Sequence, residues 1–265
     1  MLFVWYKVSF DEKWSHGSAV CETVYFFVEF VCVFPWKCVS LNNQNREKIM
    51  DGILRKLPIG IQTFEKLREG DYLYVDKTAL VWRIASTETP YFLSRPRRFG
   101  KSLLLSTFEA YFEGKKELFE GLAIADMEKE WKTYPVFHLD LNAEKYDSPQ
   151  ALVEILSRQL TQWELKYGKG EDEETLSGRF AGVIRRACEQ SGRGVVVLVD
   201  EYDKPLLQAL DDGTLLDDYR KTLKAFYGVL KSSDRYLRFV FLTGVTKFAQ
   251  VSVFSDLNQL NDISM

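Results

Sequence analysis

The chain has 265 residues, a mass of 30.8 kDa and 46% hydrophobic side chains, enough for one large domain or two small ones around a buried core. A charged fraction of 28% that nets only -3 excludes a general cationic field for nucleic acid or anionic membrane, so any polyanion contact must be local. The four cysteines, Cys21, Cys32, Cys38 and Cys188, show no CxxC pairing for a metal, and a reducing cytoplasm is the expected setting.

Before residue 41 stand 11 of the chain's 38 aromatic residues. The 20–39 stretch has the length of a membrane span, but Glu22, Glu29 and Lys37 interrupt it, and a charge at the bilayer centre is costly. A signal peptide also fits poorly, because no basic segment precedes a short apolar run and no small-residue cleavage site follows it. Residues 1–49 are therefore expected to be an atypical aromatic-rich extension, upstream of Met50 and not native to the domain. The folded domain is expected over 50–265.

From Met50 short apolar strands alternate with amphipathic helices, the pattern of a parallel sheet covered on both faces. A loop around Pro58-Ile-Gly60 leads to a short helix over 63–68 and a strand-like 72–75. Asp76 has the character of an N-cap for a helix over 77–85. A strand at 91–94 runs into the loop Arg95-Pro-Arg-Arg-Phe-Gly-Lys101-Ser102, and Leu103, Leu104, Phe108, Tyr111 and Phe112 recur at helical spacing over 102–112. A strand over 136–141, helices over 149–167 and 175–191, and an acidic solvated loop at 171–174 follow. The apolar run 195–199 after Gly192 and Gly194 reads as a strand buried on both faces and ends at Asp200 and Glu201. Asp203 with Pro205 reads either as a cap for a helix over 206–210 or as a catalytic acid. A helix over 217–232 and a strand over 237–242, closing at Thr243-Gly244, complete the pattern. The 245–265 segment reads as polar and irregular.

In open α/β sheets ligands lie beyond the carboxyl ends of the strands. At the first strand end, Gly100-Lys101-Ser102 opens a helix, where main-chain N–H groups and the lysine can hold phosphate oxygens and Ser102 can ligate Mg²⁺. The tripeptide alone is weak evidence, and the full GxxxxGK[ST] pattern fails at Arg95. At the second, Asp200 would hold the metal and Glu201 would polarise the attacking water, against a plain reading of both acids as strand-end caps. At the third, Thr243 would sense the γ-phosphate or close a turn before Gly244. His138, inside an apolar strand, reads as a satisfied core histidine, and His16 lies in the extension. Neither has a partner at metal-ligand spacing.

Leu57-Pro-Ile-Gly-Ile-Gln62, Tyr74-Val-Asp-Lys-Thr78, Phe92-Leu-Ser-Arg-Pro-Arg-Arg-Phe-Gly-Lys-Ser102, Val199-Asp-Glu-Tyr-Asp-Lys-Pro205 and Phe241-Leu-Thr-Gly-Val245 together resemble the bacterial AAA-ATPase-like family, over roughly residues 54–263. The resemblance makes Arg95 a trait of that family's form of Walker A rather than decay. It implies a three-layer P-loop NTPase, with a mainly parallel sheet of the additional-strand type and a truncated C-terminal part. Arg97, Arg98, Phe99, Gly100, Lys101, Ser102 and Leu103 would hold ATP, Ser102 and Asp200 would hold Mg²⁺, and Glu201 and Thr243 would be the catalytic pair. The 58–61 segment resembles the stretch that lies against adenine. Longer members often carry a PD-(D/E)XK-type nuclease domain, and neither this nor a helical lid or sensor arginine is recognised before Met265.

The resemblance thus implies Mg²⁺-dependent ATP binding and hydrolysis, coupled to a protein partner, a homo-oligomer or a missing effector domain. Nucleic acid enters by family analogy only, and no membrane is expected. The alternative is an ATP-binding regulatory module with little hydrolysis.

Overall fold

The computed structural model describes residues 56–142, 145–247, 253–254 and 260–264; the expected extension at 1–49 lies outside them. In chain order the helices are α1 (Phe64–Glu69), α2 (Thr78–Ala85), α3 (Lys101–Phe112), α4 (Ala123–Met127), α5 (Pro149–Tyr167), α6 (Leu176–Ser191), α7 (Lys204–Gln208) and α8 (Gly213–Ser232). The strands are β1 (Tyr91–Ser94), β2 (Val136–Asp140), β3 (Val195–Asp200), β4 (Leu237–Gly244) and β5 (Asn261–Asp262).

The five strands form one sheet in the order β2-β3-β4-β1-β5, and every pair is parallel. All strands therefore end on the same edge. β4 lies between β1 and β3, so the strand ending at Thr243-Gly244 separates the one leading to Lys101 from the one ending at Asp200. This is the additional-strand arrangement that the family resemblance implies.

The period-two alternation of the strands divides the core into two layers. Val195, Val197 and Val199 of β3, with Val240 and Leu242 of β4, pack beneath α5, α6 and α8. Val196 and Leu198, with Phe239 and Phe241, face α2, α3 and α4. β3 is buried along its whole length, so it reads as a continuous apolar run rather than an alternating one. Each such side chain contributes about 1.5–3 kcal/mol relative to exposure.

Local chemistry fixes several helix ends. Thr175 accepts the Gly178 N–H at 3.0 Å and starts α6, and Asp212 accepts from Thr214 and Leu215 to start α8. The helix expected from 217 thus begins four positions earlier, at Gly213. The helix expected over 206–210 runs over Lys204–Gln208 instead.

Three other expectations need correction. Among the described residues the 72–75 segment forms no strand and pairs through a single bridge, from Tyr72 to Lys56. Asp76 is not the backbone cap of α2, which is Lys77. Its carboxylate nevertheless accepts the Thr78 N–H and hydroxyl and, on its other oxygen, the Ala123 N–H, tying α2 to the start of α4. The 245–265 segment, expected to be irregular, contributes β5, a two-residue edge strand held by Asn261 N to Pro90 O and Ile263 N to Phe92 O. No helix among the described residues is long and apolar enough to cross a membrane.

Candidate nucleotide-binding site

The loop from Arg95 to Gly100 closes on itself through two left-handed residues, Arg98 at φ 68° and Gly100 at φ 75°. Gly100 caps α3, and a Cβ placed there would meet nothing within 4 Å. The first main-chain bond of the helix runs from Leu104 N to Gly100 O. The N–H groups of Gly100, Lys101, Ser102 and Leu103 precede that bond and have no partner within the helix, so the start of this 12-residue helix carries the positive end of its dipole and donors not used by the helix itself. Arg97, Arg98 and Phe99 are exposed at the loop tip, whereas the Leu103 side chain packs against the core. If Leu103 contacts a ligand, it does so through its main chain.

Lys101 is 5% exposed. Its Nζ donates to the carbonyls of Arg95 (3.0 Å) and Pro96 (3.3 Å) and lies 4.0 Å from Glu201 Oε1. The lysine thus spans from its own loop to the end of β3. Glu201 follows Asp200 with φ 53°, a left-handed turn at a non-glycine residue that costs energy and tends to be retained where it aims a functional side chain.

Burial pushes the Glu201 carboxyl above its usual range, with the Asp200 charge adding to the effect and Lys101, Lys204 and Arg97 opposing it. Glu201 Oε2 is buried without a hydrogen-bond partner. A buried acceptor of this kind is costly unless something donates to it.

Thr243, with no exposure, completes the constellation. Its hydroxyl donates to Asp200 Oδ1 at 2.6 Å and accepts the Glu201 N–H at 3.3 Å. Three neighbouring strand ends therefore converge through Lys101, the Asp200-Glu201 pair and Thr243, on the edge where the sequence places them. Among the described residues no group of three or more His, Cys, Asp or Glu side chains could hold a metal ion alone. A cation here would need substrate oxygens to complete its shell, the usual situation for Mg²⁺.

Sequence reasoning missed two features. Asp203 makes no capping bond with its side chain; its carboxylate turns instead to Val245 and Thr246. The only sequence signal is its position three residues after Asp200. Lys204 reaches Asn142 Oδ1 at 3.3 Å and is one of the cations acting on Glu201. Outside the site, His138 is half-buried rather than a core residue, and its Nδ1 pairs with Glu109 Oε2 of α3 at 2.9 Å.

The 58–61 segment lies close in sequence to a contact with α3, where Phe64 N donates to Ser106 Oγ at 2.9 Å and Ser106 Oγ donates to Gln62 O at 3.2 Å. Ile59 is 88% exposed.

Comparisons with known proteins bear on the family. A family model described as Predicted AAA-ATPase matches residues 58–254. A protein of Azotobacter chroococcum mcd 1, named "Uncharacterized protein in vnfD 5'region", is 44% identical over 212 residues, covering 80% of this chain and 41% of that protein. The chain thus spans about two-fifths of the relative's length. No solved structure matches. The loop, the parallel sheet with β4 inserted, and the family match over most of the chain together show that it belongs to the AAA-ATPase-like family.

Proposed function

We infer that the domain binds ATP with Mg²⁺ at the carboxyl edge of its sheet and hydrolyses it to ADP and phosphate. The observation that carries this is the convergence of Lys101 on Glu201 at 4.0 Å, with Thr243 bonded to Asp200 at 2.6 Å. It draws a cation, two acids and a hydroxyl from three separate strand ends into one cluster. The free N–H groups at the start of α3 would cradle the β- and γ-phosphates, assisted by Arg97 and Arg98. Phe99 and Gly100 shape the turn, and Leu103 contributes its N–H. Lys101 would exchange its two carbonyl partners for phosphate oxygens.

Ser102 and Asp200 would hold Mg²⁺, which when bound neutralises charge developing on the transferred phosphoryl group. Glu201 in its ionised form would accept a hydrogen bond from the attacking water. The water oxygen then bonds to the γ-phosphorus as the bond to the bridging oxygen breaks, one water proton passes to Glu201, and ADP leaves with the electron pair of the broken bond on its terminal oxygen. Thr243 keeps Asp200 oriented and reports the state of the γ-phosphate to β4. The nucleotide state is coupled in turn to a protein partner, a further copy of the chain or an effector domain.

The test is ATP binding and phosphate release by the full chain, beside Lys101→Ala and Glu201→Gln. Loss of binding in the first and loss of hydrolysis alone in the second support the reading. Equal behaviour of all three proteins removes it. Tight binding by the wild type with no phosphate released would instead favour a regulatory module that holds ATP.

A further inference from the structure

Asp203 is fully buried, and no step described so far uses it. Its Oδ1 accepts the Val245 N–H at 3.1 Å; its Oδ2 accepts the Val245 N–H at 3.1 Å, the Thr246 N–H at 2.8 Å and the Thr246 hydroxyl at 3.0 Å. The neighbouring Tyr202 binds the same turn twice, through its N–H to Thr243 O at 2.8 Å and its hydroxyl to Thr246 O at 3.1 Å. Gly244 lets the two turns approach. A Cβ there would fall 2.4 Å from the Tyr202 ring and 3.0 Å from Asp203 Oδ1.

The turn that Asp203 grips is also bonded to the phosphate-loop strand. Arg95 N donates to Gly244 O at 3.1 Å, and Ser94 Oγ donates to Val245 O at 3.1 Å. The 244–246 turn therefore touches β1 on one side and the Asp200-to-Asp203 turn on the other. It lies between the turn that carries Glu201 and the strand from which the Arg95 loop leaves. A helix cap would need no such reach, and the Asp203 side chain makes no capping bond.

The geometry points to Asp203 as a positioning residue for hydrolysis, acting through the 244–246 turn to hold Glu201 and Thr243 in register with the phosphate loop. This rests on the ATPase reading above. Asp203 acts through the bonds its carboxylate makes to Val245 and Thr246; it fixes the relative placement of the groups assigned to nucleotide and water. Ångström-scale displacement of such groups costs up to about 100-fold in rate. The main-chain N–H groups of Gly100 to Leu103 hold phosphate on α3 itself, so binding depends far less on the clamp.

The experiment measures ATP affinity and steady-state hydrolysis of the full chain for wild type, Asp203→Asn, Thr246→Val and Glu201→Gln, with thermal unfolding of each. Asp203→Asn keeps one oxygen acceptor and puts an NH2 donor in place of the other, so the turn's N–H groups and the Thr246 hydroxyl can no longer all be accepted. Its kcat is expected to fall on the order of 10- to 100-fold, while ATP affinity stays within about threefold of wild type. Thr246→Val, which loses one of the four bonds, should show a smaller fall in kcat of the same kind. A purely structural role would instead lower affinity, kcat and unfolding temperature together.

Wild-type turnover in Asp203→Asn overturns the proposal, as does a parallel loss of affinity and rate. If Asp203→Asn fails to fold, an unchanged kcat in Thr246→Val overturns it. Absence of turnover in the wild type overturns the ATPase reading and this inference together. Turnover abolished by Glu201→Gln but untouched by Asp203→Asn sinks this inference alone.

Discussion

Thr243 Oγ1 donates to Asp200 Oδ1 at 2.6 Å, with both residues buried. The same oxygen accepts the Glu201 N–H at 3.3 Å, so one hydroxyl serves both acids. Thr243→Val keeps the shape and removes the donor and the acceptor together. It leaves an Asp200 oxygen and a main-chain N–H short of partners in a dry site, which costs about 1–3 kcal/mol. Chemical denaturation should show that loss. Phosphate release should fall further than the stability change explains, because Asp200 and Glu201 are both freed to reorient.

Glu201 carries a stability cost of its own. Burial raises its pKa, so the folded protein holds the protonated form more tightly than the unfolded chain does. Its favourable contribution is complete below the ordinary glutamate range and is lost as pH rises through the raised folded-state value. At neutral pH the ionised side chain therefore works against folding. Glu201→Gln should unfold at a higher temperature than wild type at pH 7 to 8. The advantage should shrink toward pH 4. Thermal scans across that range decide it, and a constant difference at all pH values would contradict it.

The sheet and the site edge were legible because their signals are local. The apolar run 195–199 reads as a doubly covered strand and forms β3, buried along its whole length, and Gly100-Lys101-Ser102 stands where the chain passes from β1 into α3. The roles of Asp203 and Gly244 were not legible. They arise where the ends of β3 and β4 meet, 42 residues apart in sequence for the Asp203–Val245 bond, and an aspartate before Lys-Pro looks the same whether it caps a helix or clamps a distant turn. The false strand at 72–75 has a similar origin. Its Tyr-Leu-Tyr-Val composition suits a pleated surface, yet it finds only the Lys56 bridge, and β propensity without a partner strand does not make a strand.

Gly100 and Gly244 should respond differently to alanine. Gly100 has the left-handed φ of 75° but open space around it, so Gly100→Ala incurs only backbone strain, about 1–2 kcal/mol. Its visible effect should be weaker ATP binding in a folded protein. Gly244 has no positive φ, but the added Cβ would lie 2.4 Å from the Tyr202 ring. Gly244→Ala must displace a fully buried tyrosine and should cost about 1–3 kcal/mol by overpacking. Comparing urea midpoints with nucleotide affinity separates the two cases. A Gly244→Ala protein as stable as wild type would show that Tyr202 has room the structure does not reveal.

His138 and Glu109 join β2 to α3. Burial tends to lower the histidine pKa, but the Glu109 hydrogen bond and charge, with Asp200 and Asp140 adding, raise it above the ordinary value. The pair's contribution is therefore complete below about pH 6.5, the unperturbed histidine value, and is lost as pH rises through the raised one. Glu109→Gln should destabilise the protein at pH 6 and approach wild type at pH 9, read from urea midpoints. An effect that grows with pH would mean that Glu109 acts through some other group.

The strongest purely structural test lies away from the site, between α5 and α6. Arg179 and Glu164, 8% and 7% exposed, form a two-pronged pair at 2.8 and 2.7 Å. Arg179 also donates to Ser157 Oγ, Ser157 O and Thr161 Oγ1. Removing one partner leaves a buried charge unbalanced and should cost about 3–5 kcal/mol, so Arg179→Ala should be among the most destabilising single changes in the domain. Replacing both residues with apolar side chains of similar volume should recover much of that loss, since two desolvated ions are removed together. Denaturant titration of Arg179→Met, Glu164→Leu and the double variant measures the coupling. If the double variant is as unstable as the sum of the singles, the pair is not an isolated electrostatic unit, and the Ser157 and Thr161 bonds hold α5 to α6 instead.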